Sequence, residues 1–323
     1  MALKDFLSAV RVIILDLEDL PEEYGKRHAL YRHTFPKLLA EEIEDLAKID
    51  PQRFKTYTTS IFLGESGILD NHFDLTLALL KKHWGEFFPG EFDKYTLVRA
   101  LHKARPWDSS RAHGFAKNFL SFLSDDLPAL RSKYPVILDA ARLELLNLEV
   151  KRHPNPQFSA QHSLAKEDIA ALAVAELLNL PFYIPPYARF GRFAYDVTTA
   201  RRALLMNEGK LSSEISHTET FCIGGRTVKN LARWINLPQE VWLFLQGRAN
   251  SSAVELGALA EQFIGSADQS RPEEILFREF MELLLNLMDG GIVVVRKDFE
   301  ITSKLQTAQH TPVQSSVHSE HSG

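Results

Sequence analysis

Residues that could carry out chemistry are scattered along this chain. The twelve histidines and the single cysteine, Cys222, offer metal ligands or a nucleophile. Two ligands on one helix must be three or four residues apart to share a face. His28 and His33 are spaced more widely than that and fall on different faces. The sequence therefore predicts no metal site.

Nucleophilic and phosphate-binding motifs are missing as well. The chain has no P-loop, GxGxxG, HExxH or GxSxG pattern. Cys222 lies in a predicted strand without a basic neighbour to activate it, which is typical of a structural thiol. No catalytic residue is predicted, although an active site assembled from distant segments stays an alternative.

Composition sets the class of protein. The 323 residues suffice for two domains, and 45% hydrophobic with 24% charged residues is ordinary for a globular chain. The formal net charge of −5 does not favour nucleic acid or acidic membranes. Neither a signal peptide nor a membrane span is predicted, so we expect a cytoplasmic protein.

The periodicity of apolar residues and the positions of helix-breaking prolines and glycines divide the chain into four regions. Residues 1–152 are predicted to be a helical domain, and 153–194 a linker whose prolines and aromatics prevent regular structure. Residues 195–297 predict a hairpin, three helices near 238–246, 252–264 and 272–289, and a closing strand, the order of a winged-helix-like domain. Residues 298–323 are predicted to be disordered. The fold class is α+β, mostly helical.

The helix after Pro135 carries two apolar stripes on roughly opposite sides. Such a helix is buried between two layers or covered by another chain. The polar seams between the stripes hold Arg142 and Glu144, which are candidate contacts to a partner protein. The alternative is a central core helix whose charges are paired or reach solvent.

The predicted hairpin opens the third region. Gly224-Gly225 is typical of a two-residue turn, which would place Ile223 opposite Arg226. Strand alternation then predicts that Phe221 and Trp234 share one face. The residues predicted on the other face are Lys229, Leu231 and Arg233.

Charge argues against DNA as the ligand of this region. From residue 239 to 297 there are nine acidic and five basic residues, and the last helix carries four glutamates against one arginine. A recognition helix that approaches phosphates needs the opposite balance. A DNA-binding regulator is therefore the weaker alternative.

The last helix instead predicts an apolar groove. Its apolar arc exceeds a core stripe, and the residues that widen it include Phe277, Met281 and Met288. A sheet edge beside such a groove suits an extended peptide, held by backbone hydrogen bonds. Lys229 and Arg233 would complement an acidic peptide. The alternative is that this strip packs on the helical domain, as in a scaffold protein.

These segments resemble a known family. In order, "LYRHTFPKLL", "LHKARPWDSSRAHGFAKNFLSFL" and "KYPVILDAARLELLNLEV" resemble the helical domain of accessory subunits that pair with multinuclear iron enzymes acting on ribosomally made peptides. The methanobactin and thiaglutamate pathways contain such subunits. The hairpin and the following helices resemble their peptide-recognition domain. Residues 155–215 depart from the family pattern.

The resemblance implies a function. The chain would form a heterodimer with an iron-containing barrel enzyme, bind a precursor peptide and present its C-terminal cysteine, as in thiaglutamate-type β-carbon excision. All iron ligands would belong to the partner, so this chain would hold no cofactor of its own.

Overall fold

The computed structural model is mostly helical, with short antiparallel strands. It describes residues 3–15, 20–105, 112–152, 164–207, 214–227, 231–249, 253–268 and 270–296, with the single residues 209, 211 and 229. The predicted tail 298–323 and the start of the predicted linker, 153–163, lie outside the described residues. None of the described helices is long and apolar enough to cross a membrane.

Nine helices come first among the described residues. They are α1 Leu3–Leu15, α2 Tyr24–Thr34, α3 Ala40–Lys48, α4 Pro51–His72, α5 Asp74–Lys82, α6 Lys94–Ala104, α7 Ala112–Ser121, α8 Pro128–Lys133 and α9 Pro135–Arg152. A 3-10 turn, Trp84–Glu86, and a π-helical turn, Phe122–Asp126, join some of them. Pro51, Pro128 and Pro135 each start a helix, where a proline costs no hydrogen bond.

Strands and helices alternate in the rest of the described chain. The elements are α10 Lys166–Ala170, α11 Val174–Leu178, β1 Pro181–Tyr183, β2 Arg189–Phe193, α12 Val197–Met206, β3 Thr220–Arg226, β4 Ala232–Leu237, α13 Gln239–Arg248, β5 Val254–Glu255, α14 Leu256–Ser266, α15 Glu273–Asp289 and β6 Val294–Val295. The strands form two sheets, with the orders β5-β1-β6 and β2-β3-β4.

The chain divides into two compact units. The first contains residues 1–149 and 193–219, and the second contains 150–192 and 220–323. This division differs from the predicted boundary at residue 195, since α12 belongs with the helical unit. Residues 164–192, which were predicted to be linker, belong with the second unit.

Helix α9, most of which belongs to the first unit, is buried on both sides, as its two stripes predict. Leu138 and Leu145 of one stripe are buried, and so are Leu143 and Val150 of the other. Burial of both stripes accounts for the mixed polarity of the sequence here, because only narrow seams remain for charged side chains.

In the second unit, the three predicted helices and the closing strand are confirmed as α13, α14, α15 and β6. Helix α15 follows Pro272 and ends before Gly290. Gly291 then adopts a left-handed conformation, φ 62°, which glycine tolerates best. The closing strand β6 pairs with β1 and belongs to the other sheet from the hairpin.

The proline-rich run was predicted to be irregular, and this is wrong. Pro181 is the first residue of β1, a position where a missing N–H is tolerated. Phe182 is buried in the core of the unit and pairs with Val254 and Val295. The aromatic residue therefore fills the core between two neighbouring strands.

The predicted hairpin turn is also wrong. Gly224 and Gly225 lie inside β3, and the connection to β4 is residues 227–231. A Cβ on Gly224 would lie 2.7 Å from the ring of Trp234, and one on Gly225 would lie 2.5 Å from the carbonyl oxygen of Gly290. Both glycines are therefore needed for close packing, one on each face of the strand.

The strand register corrects the predicted faces. Phe221 pairs with Leu237, and Gly224 pairs with Trp234. Because side chains alternate along a strand, Trp234 lies on the face opposite to Phe221. Arg233 pairs with Gly225 and shares the face of Phe221.

Candidate functional site

The strongest candidate site is the β4 side of the second sheet. The order β2-β3-β4 places β4 at one edge, and β3 is its strand partner in the described part of the chain. On the face that carries Ile223 and Ile235, the sheet packs into the core of the second unit together with Phe280 and Leu284 of α15. An edge strand beside a helix is the arrangement to which extended peptides add.

Arg233 connects this edge to α15. Its guanidinium donates a hydrogen bond to Oδ1 of Asn286 at 3.1 Å and lies 3.8 Å from a carboxylate oxygen of Asp289. The Asp289 carboxylate also pairs with Lys166. The Arg233 side chain is 44% exposed, so its guanidinium contacts both these α15 side chains and solvent.

The three predicted groove residues lie on another flank of the same helix. Side chains rotate by about 100° per residue along a helix. Asn286, which binds Arg233, therefore faces well away from Phe277, Met281 and Met288. These three are half-buried against the core of the second unit. The structure does not bring Arg233 and the predicted groove together on one surface.

Lys229 and Leu231 were predicted to lie on a strand, and this is wrong. Both lie in the connection between β3 and β4. The backbone N–H of Thr227 donates to the carbonyl of Leu231 at 2.9 Å, and the N–H of Leu231 donates to Oγ1 of Thr227 at 3.2 Å. Leu231 is 59% exposed, so the connection holds an apolar side chain in solvent directly before β4.

Glu144 was predicted to contact a partner, and this is wrong. Its side chain is fully buried in the first unit. It accepts hydrogen bonds from the backbone N–H groups of Leu75 and Thr76 at 2.8 and 3.1 Å, and from the Thr76 hydroxyl at 2.7 Å. Glu144 therefore caps the start of α5, which has no capping side chain of its own.

An arginine completes this buried cluster. Nε of Arg201 lies 3.5 Å from Oε1 of Glu144, and its Nη2 donates to Asp74 at 3.2 Å. Burial raises the pKa of Glu144 to about 7, against the lowering effects of the Thr76 hydroxyl, Arg201 and the backbone N–H groups. The residues come from three distant helices, so no local spacing in the sequence indicated the cluster.

Arg142 remains on the surface of α9. Its side chain is 54% exposed and lies 3.4 Å from Asp139. Asp139 is buried and accepts a hydrogen bond from the backbone of Ala194 at 2.7 Å. The role of Arg142 as a partner contact stays a prediction.

Cys222 and the histidines form no cluster of metal ligands in the described chain. Groups of three or more His, Cys, Asp or Glu side chains placed to hold a metal are missing there. Cys222 is buried in β3, where its carbonyl accepts a hydrogen bond from the indole of Trp242 at 2.9 Å. His102 pairs with Glu65, and His113 pairs with Glu149 at 3.0 Å.

Comparison with known proteins assigns no family. The chain matches no protein-family model and no curated protein. The resemblance to accessory subunits of peptide-modifying iron enzymes therefore stays a prediction that rests on the sequence segments quoted above.

Proposed function

We propose that the chain is a non-catalytic, peptide-binding subunit that takes an extended peptide along β4 and presents it to a partner enzyme. The observation that carries the proposal is the position of β4 at the edge of its sheet, next to α15. Backbone groups of an edge strand bind any extended chain, and the neighbouring side chains select its sequence. We also propose that the hairpin, the three helices and the closing strand of this region form a winged-helix-like domain.

The corrected register names the side chains that would select the peptide. Leu231 offers an exposed apolar contact at the start of β4, and Arg233 offers a cation beside α15. Lys229 in the preceding connection adds a second positive charge. A carboxylate of the peptide would replace Asp289 beside Arg233. Because salt screens such exposed charge pairs, we expect the affinity for the peptide to fall as salt is added.

The partner follows from the family resemblance. It would be a multinuclear iron barrel enzyme that forms a heterodimer with this chain and holds all the iron ligands. The peptide would be a ribosomally made precursor whose C-terminal cysteine is modified by thiaglutamate-type β-carbon excision in the partner. Holding the peptide on a bound subunit raises its local concentration at the partner's site, to roughly millimolar for a short tether.

The first test is purification of the full chain from its native host, with mass spectrometry and iron analysis. We expect a second subunit in near-stoichiometric amount, carrying iron, together with a precursor peptide. A metal-free chain recovered alone would overturn the proposed partnership.

The second test places the peptide on β4. The recovered peptide is synthesised with a fluorophore and titrated against the wild type and the double variant Leu231→Asp/Arg233→Glu. Two lost contacts of about 1 kcal/mol each predict a loss of affinity of roughly thirtyfold. The matched control is Leu243→Asp/Arg278→Glu, which changes an exposed leucine of α13 and an exposed arginine of α15. Equal affinities for all three proteins would show that the peptide binds elsewhere.

A further inference from the structure

One face of α4 is unusual for a helix surface. At about 100° per residue, a stripe of exposed and half-buried residues runs along one side from Arg53 to Gly67. Tyr57, Ser60, Leu63 and Gly64 lie between them, and the stripe contains no carboxylate. We name this stripe the α4 face. Solvated helix faces normally carry charges of both signs.

Beyond Arg53, the α4 face is effectively apolar. The Ser60 hydroxyl donates to the carbonyl of Thr56 at 2.9 Å, and the Thr56 hydroxyl donates to the carbonyl of Gln52 at 2.8 Å. These hydroxyls are satisfied within the helix and need no external partner. Tyr57 and Leu63 are 59% and 55% exposed. Large apolar side chains in such surroundings are typical of an interface.

The two glycines on this face are not required by packing against the described residues. A Cβ added to Gly64 or Gly67 would have nothing within 4 Å. Glycine in the middle of a helix is unfavourable compared with alanine. Since no neighbour in the described part of the chain requires these glycines, they leave space for a side chain or backbone that comes from outside.

The arrangement of large and small residues is complementary to itself. If two α4 helices cross antiparallel, with a two-fold axis near residues 61 and 62, Leu63 of one copy lies opposite Ser60 of the other. Tyr57 then lies at the level of Ser66, next to Gly67. Each large side chain thus meets a small one, as an isologous interface requires.

Charge fits the same pairing. The antiparallel arrangement places Arg53 of each copy at the level of Asp70 of the other, a residue that borders the face two turns beyond Leu63. Asp70 is half-exposed and pairs with Lys94 of its own chain. Arg53 has no ion-pair partner among the described residues. The geometry points to a second copy of this chain as the occupant of the α4 face.

The size of the α4 face determines how strongly two copies are expected to associate. Helix α4 has 22 residues, which at 1.5 Å per residue is about 33 Å. One pair of helices of this length buries less than the ~1,200 Å² that stable interfaces need. We therefore expect a reversible dimer that forms as the protein concentration rises.

Sedimentation equilibrium of the full chain tests the proposal from about 1 to 300 µM, a range that covers weak dimers. The mass should rise from 36.7 kDa towards twice that value. Leu63→Glu should shift the transition at least tenfold in concentration, and the control Leu243→Glu, at an exposed site on α13, should leave it unchanged. A constant mass of 36.7 kDa, or a dimer insensitive to Leu63→Glu, would overturn the proposal.

A charge exchange tests the antiparallel geometry. Arg53→Asp and Asp70→Arg should each weaken the dimer, and the double variant should restore it to near the wild-type strength. Additive weakening in the double variant would exclude this pairing. This experiment uses the chain alone, so its result is independent of peptide binding and of any iron-containing partner.

Discussion

Two arginine–carboxylate pairs, one in each unit, show how burial changes the meaning of the same interaction. The side chains of Arg201 and Glu144 are 14% and 0% exposed, whereas those of Arg233 and Asp289 are 44% and 38% exposed. The first pair lies among backbone donors at the start of α5. The second lies in solvent beside an edge strand. The buried pair holds helices together, whereas the exposed pair can separate at little cost.

The difference follows from solvation. Water screens the exposed pair and replaces a lost partner at little cost, so its contribution to stability is small. Water cannot reach Glu144, so every donor that faces it depends on its carboxylate. The comparison therefore predicts large effects on stability in the first unit, and effects on binding in the second.

The largest effect is expected from Glu144→Leu. This change leaves the N–H groups of Leu75 and Thr76 unsatisfied and removes one carboxylate from Arg201. We expect a loss of about 3–5 kcal/mol in the free energy of unfolding, measured with urea at pH 7. The matched variant Asp289→Leu should lose less than about 1 kcal/mol. Similar losses in the two variants would contradict the comparison.

The pH dependence of stability sharpens the same contrast. Because the pKa of Glu144 rises from 4.5 to about 7 on folding, the folded chain holds this proton more tightly than the unfolded chain. The stability from this group is complete below pH 4.5 and is lost as the pH rises through 7.

We expect the difference in unfolding free energy between wild type and Glu144→Gln to fall by up to about 3 kcal/mol from pH 5 to pH 8. Urea titrations of both proteins at the two pH values measure this change. Glutamine does not titrate, so other groups cancel in the difference. A difference that does not vary with pH would show that Glu144 is ionised throughout.

The smallest effect on stability is expected when each of the two arginines is replaced by lysine. Arg201 places Nε 3.5 Å from Glu144, as a charge contact without a hydrogen bond, and donates from Nη2 to Asp74, whereas lysine has a single nitrogen. Arg201→Lys should therefore lose one charged contact, about 1.5 kcal/mol in unfolding free energy. Arg233→Lys should stay within about 0.5 kcal/mol of the wild type. Thermal or urea unfolding of the two variants under one buffer condition would reveal the opposite order if the comparison is wrong.

Local signals in the sequence predicted the helices of the second unit well. Pro272 and the glycines after residue 289 bracket α15 closely, because both act on the backbone of their own segment. The burial of α9 followed from its two stripes for the same reason. Periodicity reports burial directly, whatever covers the helix.

The turn of the hairpin and the charged cluster were not predictable in this way. The pair Gly224-Gly225 is typical of a tight turn. In the structure, however, Trp234 and the chain near Gly290 pack so closely on these two residues that neither could carry a side chain. Glu144 looked like a surface charge because its partners, Leu75 and Arg201, are distant in sequence. Such contacts are set by tertiary packing, which overrides local preference.

The close packing on both faces of β3 also fixes the alignment of the candidate site. A slip of β3 by one residue would either place Ile223 under Trp234 or put the side chain of Arg226 against the carbonyl oxygen of Gly290. The register of β4 is thus set by contacts outside the connection 227–231. The sequence of that connection can therefore change while the strand beside it keeps its place.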